Sequence, residues 1–211
     1  MTELRLIGGA AVAEPAAAEP APLRLPPGRH GIPADLVRAH QRLRLLEAAA
    51  KALAEQGYGR ITAARVTELA GVSSRTFYQH FEDLWACLLA AYETEAGRLC
   101  DEVERAPDAR AGVAAAIGFL AADPDVARLL SAEPPPQIAA LAGARRDLVE
   151  RLGTMLRAAL TDPDGPTPLP GLERRLVGAA LAMVSTRAAS GDPERLRALE
   201  PELSDLLLAS L

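Results

Sequence analysis

Residues 60–81 constrain this chain more than any other stretch, because two helix starts and a forced turn fall within twenty-two residues. Thr62 stands where an N-cap belongs, its hydroxyl able to accept from the amide of Ala64 or Arg65, and a short helix to Ala70 follows. Gly71 supplies the positive φ of a sharp turn, and Ser73 caps a second short helix through His80. Phe77 and Phe81 lie four residues apart and face inward with Leu69 and Val72. Two short helices joined by a tight glycine turn make a helix-turn-helix, whose second helix fits a groove about 12 Å wide. Opposite the phenylalanines that helix presents Ser74, Arg75, Tyr78 and Gln79, flanked by Thr76 and His80. This set holds hydroxyls, a guanidinium and an imidazole but no carboxylate, the chemistry that touches phosphates and base edges together. Plainer roles exist for three of them. Thr62 can be a cap alone, Tyr78 a packing residue, and Arg75 can pair with Glu82 in a surface contact worth about 0–1 kcal/mol.

The charge distribution points the same way. The whole chain carries −5, which argues against a polyanionic partner, yet residues 24–81 carry +5 and residues 82–211 carry −8. A basic block beside an acidic remainder lets one surface face a polyanion; random clustering is the alternative. Among the 23 basic residues Lys51 is the sole lysine. Alanine and leucine dominate the apolar residues, aromatics make up 3%, and both facts favour an all-α chain.

Residues 1–33 are read as a flexible arm, since residues 10–28 are rich in Ala, Pro and Glu and end in Pro26-Pro27-Gly28. Helical periodicity starts near Pro33, with Leu36, Leu43, Leu46, Ala50 and Leu53 forming one apolar stripe that Gly57 ends. Asp83 caps a long helix from Leu84 to about Arg105. Further helices are expected near 110–121, 124–132, 136–160, 172–190 and 193–210, divided by Pro107, Asp123-Pro124, Pro134-Pro135-Pro136, the 162–171 loop and Gly191-Asp192-Pro193. The expected organisation is a helix-turn-helix domain at 34–83 and a helical ligand-binding and dimerisation domain at 84–211. Cys87 and Cys100, thirteen residues apart, fall about 220° apart around one helix and are read as reduced core residues, with a redox pair as the alternative. No apolar run reaches a membrane span and no secretory signal is evident, so the chain is read as cytoplasmic.

Residues 40–100 resemble the DNA-binding domain of the TetR family of repressors. The resemblance rests on Arg44-Leu45-Leu46-x-Ala48-Ala49, Gly57-Tyr58 before Thr62, Leu69-Ala70-Gly71-Val72-Ser73, and Thr76-Phe77-Tyr78-x-His80-Phe81. It implies that Thr62, Thr76, Tyr78 and His80 hold phosphates while Ser74 and Arg75 reach bases, with Ser73 also among the DNA-binding residues. One position departs from the pattern. Where the family commonly has a phosphate-gripping lysine this chain has Leu84, so the Asp83-capped helix N-terminus is left to substitute. Gly28-Arg29-His30-Gly31-Ile32-Pro33 resembles an extension in actinobacterial-type relatives, and Arg29 is a candidate for an adjacent minor groove; an unstructured tail is the alternative.

The resemblance continues at the C-terminus, where Gly191-Asp192-Pro193-Glu194-Arg195-Leu196 joins two helices like those that form a four-helix bundle between TetR subunits. It implies a homodimer, with Gly178 and Ala182 on the first helix and Leu203, Leu206 and Leu207 on the second at the interface. An apolar pocket is expected from Trp85, Leu88, Tyr92, Phe119, Leu120, Leu152, Met155 and Met183, each of which also suits ordinary core. No nucleophile with a base, metal cluster or phosphate loop is recognisable, and His30, His40 and His80 all lie in the DNA-binding portion, so no catalytic site, metal or cofactor is expected. The expectation is a dimeric regulator, a repressor released from a palindromic operator by a small apolar effector. A constitutive, ligand-independent DNA binder is the alternative.

Overall fold

Asp83 accepts the amide of Ala86 at 2.7 Å and so starts the helix about which the rest of the fold is organised. In the computed structural model, which describes residues 33–160 and 170–208, that helix is α4 (Leu84–Glu104). Before it come α1 (Ala34–Gln56), α2 (Ala63–Ala70) and α3 (Ser74–His80). After it come α5 (Ala109–Ala122), α6 (Pro124–Ser131), α7 (Ala139–Leu160), α8 (Leu172–Ala188), α9 (Pro193–Arg197) and α10 (Glu200–Leu208). No strand occurs among the described residues, and no helix there is long and apolar enough to cross a membrane.

The starts and stops have local causes. Thr62 accepts from the Arg65 amide at 3.2 Å, Ser73 from Thr76 at 3.1 Å, and Asp108 from Ala111 at 2.8 Å. Gly71 takes φ +60°, which lets its amide return to the carbonyls of α2 and close the turn. Among the described residues α1 packs on α4 and α6 as well as on α2.

Two expectations need correction. The stripe on α1 is buried only from Leu45 onward, while Leu36 and Leu43 are 61% and 52% exposed. They share a face with the buried Ala50, so the first turns of α1 differ in how far along the axis packing extends, not in which side faces the core. The helix expected at 193–210 is two helices, α9 and α10, with Ala198 and Leu199 in a turn between them. Pro201 accounts for the break: it has no N–H to give to residue 197 and its ring clashes with that carbonyl, but it is tolerated in the first turn of a new helix.

Leu45, Phe77, Leu88, Tyr92, Leu129 and Leu130 are fully buried in a core continuous through α1, α3, α4 and α6. Cys87 and Cys100 are buried free thiols, as expected, and burial pushes the Cys87 thiol up to about 12.

Candidate nucleic-acid interface and effector cavity

The buried ring of Phe77 anchors α3, and everything on the opposite side of that helix faces outward. Ser74, Arg75 and Gln79 are exposed, Tyr78 is 61% exposed, and Thr76 and His80 are half-buried. Tyr78 touches Phe77 only edge-on, with centroids 5.2 Å apart, so its hydroxyl end is not part of the core. Arg75 joins none of the ion pairs among the described residues, and its alternative partner Glu82 is not used. Ser73 and Thr76 hold each other, hydroxyl to hydroxyl, at 2.9 Å, so both are fixed at the start of the helix. Thr62 lies exposed at the head of α2. Arg29 falls outside the described residues.

The basic block separates into two groups. Arg65 is committed to structure, bonded to Glu55 at 2.8 Å and to Glu68 at 2.9 Å, and Arg44 donates to the Ala70 carbonyl at the end of α2. Arg38 and Arg42 are exposed on α1 and stand close enough to His80 to bear on its charge. Burial first, and then these two guanidiniums, hold the His80 imidazole below its ordinary 6.5, so it is neutral at neutral pH. The Arg42 guanidinium also sits 5.4 Å from the centre of the Phe81 ring. A cationic edge made of Arg38 and Arg42 therefore borders the exposed face of α3. Sequence reasoning counted these arginines in the basic block without giving them a role; the signal was their i, i+4 spacing just ahead of the buried part of α1.

A second feature lies at the other end of α4. A cavity of about 630 Å³ is walled by Leu99 and Val103 of α4, Val113, Ile117 and Leu120 of α5, Leu152, Met155 and Leu156 of α7, Val177, Leu181 and Val184 of α8, and Leu203 and Leu207 of α10. Of the pocket candidates, Leu120, Leu152 and Met155 line it, and the five others do not. Leu88 and Tyr92 are fully buried in the core, and the Tyr92 hydroxyl donates to the Leu130 carbonyl of α6 at 3.4 Å. Phe119 lies under the Arg98 guanidinium at 5.7 Å, Met183 packs against the core, and Trp85 lines a separate, smaller pocket. Leu203 and Leu207, expected at a subunit interface, instead face this cavity. Gly178 and Ala182 are on the outer side of α8, with nothing within 4 Å of a Cβ built on Gly178, and Leu206 is half-buried. Among the described residues no cluster of His, Cys, Asp or Glu could hold a metal ion.

These elements define a helix-turn-helix protein whose all-helical second part encloses an apolar cavity. Residues 45–91 match the family described as bacterial regulatory proteins, tetR family. Comparison with curated proteins finds no match. Among solved structures, the fatty acid degradation regulator FadR from Bacillus halodurans has the same fold, with TM-score 0.63 and 19% identity over 80% of this chain and 98% of that one. FadR from Bacillus subtilis, in complex with stearoyl-CoA, gives TM-score 0.64 and 18% identity over 80% and 98%. A TetR-like regulator from Rhodococcus sp. RHA1 gives 0.56 and 17% over 79% and 93%.

Proposed function

We propose that this regulator is a homodimeric repressor that leaves a palindromic operator when a small apolar ligand fills the 630 Å³ cavity. The observation that carries the reading is the continuity of α4. Its capped start follows the recognition helix after Phe81, Glu82 and Asp83, and its far turns supply Leu99 and Val103 to the cavity wall. Ser74 and Arg75 read bases, while Thr62, Ser73, Thr76, Tyr78 and His80 hold phosphates, joined by Arg38 and Arg42. Arg29 enters the minor groove beside them. Dimer contacts fall on the outer side of α8 around Gly178 and Ala182 and on Leu206, since Leu203 and Leu207 turn inward. The protein works in the cytoplasm, where its operator is.

The stearoyl-CoA found with the Bacillus subtilis FadR makes an acyl chain one candidate class. The wall chemistry favours an uncharged body. Glu104 and Asp108 are among the described lining residues and no lysine or arginine is, so phosphates would meet carboxylates there. The test is to select an operator from random duplexes and titrate the complex with n-decanol and with stearoyl-CoA. Release by decanol supports the reading. Tight operator binding that neither compound alters would leave the ligand-independent regulator as the better account.

A further inference from the structure

A second pocket, of about 400 Å³, opens where the helix-turn-helix meets the C-terminal helices. Tyr58 and Gly59, from the turn between α1 and α2, form one side; Trp85, in the first turn of α4, forms another; Pro135 and Ile138, before α7, close it. Two aromatic side chains, a proline and an isoleucine make walls suited to a flat apolar body.

The polar atoms behind these walls are unsatisfied. The Tyr58 hydroxyl is buried and has no hydrogen-bond partner. Arg145 is largely buried and spends one terminal nitrogen on Glu133 at 2.8 Å, which leaves its buried Nε–H without an acceptor. The charges of Arg145 and Glu133 both bear on Tyr58, so the three groups form one neighbourhood. Burial pushes the Tyr58 phenol up to about 12, so it is a protonated donor at neutral pH. A buried polar group without a partner is costly, and here the unsatisfied groups both offer a proton. Neither donor has an acceptor of its own, because the Glu133 carboxylate is bonded to a terminal nitrogen of Arg145.

We propose that this pocket is a second ligand site, separate from the apolar cavity, for a small flat molecule bearing a hydrogen-bond acceptor, such as an aryl carboxylate or aryl amide. The ring lies against Trp85 and Tyr58, and the acceptor oxygen takes the Tyr58 O–H, with Arg145 adding positive potential. Because the walls come from both the helix-turn-helix and the α6–α7 connection, the occupant touches both.

Trp85 is the only tryptophan of the chain, so its fluorescence reads this pocket directly. The full-length protein is titrated with benzoate, benzamide and toluene. Benzoate and benzamide give a saturable change, and toluene, which has the ring but no acceptor, binds roughly tenfold or more weakly. Tyr58→Phe keeps the ring and loses the hydroxyl; it weakens benzoate by a similar factor yet leaves the melting temperature unchanged or raised, because no bond is broken in the free protein. Saturating n-decanol, a probe of the larger cavity, leaves the benzoate titration as it was. Three results overturn the proposal: toluene binding as well as benzoate or no saturable change at all, a Tyr58→Phe protein that melts lower because the hydroxyl already serves the fold through a bound water, or displacement of benzoate by decanol.

Discussion

The guanidinium of Arg44, in the third turn of α1, donates to the carbonyl of Ala70 at the end of α2. That carbonyl is one of the last of its helix and has no partner within α2, so the bond both ties the first helix to the turn and satisfies an end group. The adjoining Arg65, held by Glu55 and Glu68, clamps the same two helices from the other end of α2. The recognition helix is thereby presented on a braced support before any DNA arrives.

Arg44→Met is expected to lower unfolding stability by about 1–3 kcal/mol, the range for a charge-assisted hydrogen bond whose loss leaves a part-buried acceptor. Urea denaturation followed by circular dichroism measures it. An unchanged midpoint and slope would mean that solvent satisfies Ala70 equally well.

Arg75 is exposed and unpaired at the start of α3, and the proposed function gives it a bidentate contact to guanine. Arg75→Ala is expected to relax preference at one symmetric pair of operator positions by about 1–3 kcal/mol. Binding measured across a panel of operator variants decides the matter: a uniform fall in affinity with specificity intact assigns Arg75 to phosphate.

His80 gives a pH dependence whose sign can be worked out. In the free protein its imidazole titrates below 6.5, held down by burial and by Arg38 and Arg42, so the folded state binds fewer protons than the unfolded one. Its contribution to folding stability is therefore present above pH 6.5 and is lost as pH falls through the lowered value. A phosphate beside the ring acts in the opposite direction and raises the pKa in the complex. Operator binding then takes up a proton, and affinity falls as pH rises through the window between the free and bound values. The check is to repeat operator titrations across that range with the parent and with His80→Gln, which should show a flatter profile; identical profiles would remove His80 from the phosphate contacts.

How much of this was legible in the sequence depended on the range of the interaction. Thr62, Ser73 and Asp83 were readable as caps because a cap is decided within three residues, and all three accept the expected kind of amide. The inward turn of Phe77 and Phe81 followed from helical spacing alone. Periodicity names a face but not a level along the axis, and this accounts for the misses. Leu88 and Tyr92 lie one to two turns into α4 and are buried, Tyr92 reaching Leu130 of α6, whereas the cavity begins at Leu99, about 22 Å from the start of the helix at 1.5 Å per residue. Leu203 and Leu207 were correctly apolar, but whether such a stripe meets its own chain or a second one is not encoded in its spacing. The pairing of His80 with Arg38 and Arg42 joins residues about forty apart, and only the folded chain brings them together.

The N-terminal segment is testable without a structure. If Arg29 occupies a minor groove, removing residues 1–31 weakens operator binding and reduces the salt slope by about 0.9 for each phosphate no longer neutralised. Equal affinity and slope in the shortened protein would assign those residues no part in DNA binding.

The two ends of α4 carry the remaining prediction. Helix-turn-helix dimers read half-sites about 34–36 Å apart, or multiples of that, so the dimer must hold its recognition helices at a set separation. Asp83 caps α4 directly after α3, and on the proposed reading a tilt of α4 at Leu99 and Val103 would displace Arg75 and Tyr78. A ligand that prefers the tilted position selects the non-binding state, and a reversal from 1:99 to 99:1 requires a differential affinity of about 5.5 kcal/mol. Reciprocity then requires operator DNA to weaken ligand binding by the same factor. Calorimetric titration of a cavity ligand such as n-decanol, with and without operator duplex, measures both directions of the coupling. Leu99→Trp, which fills the cavity from the α4 side, should bind the ligand poorly and respond little to it at the operator. A ligand that occupies the cavity with the same affinity whether or not DNA is present would remove release by α4 tilting, while leaving the DNA-reading face of α3 untouched.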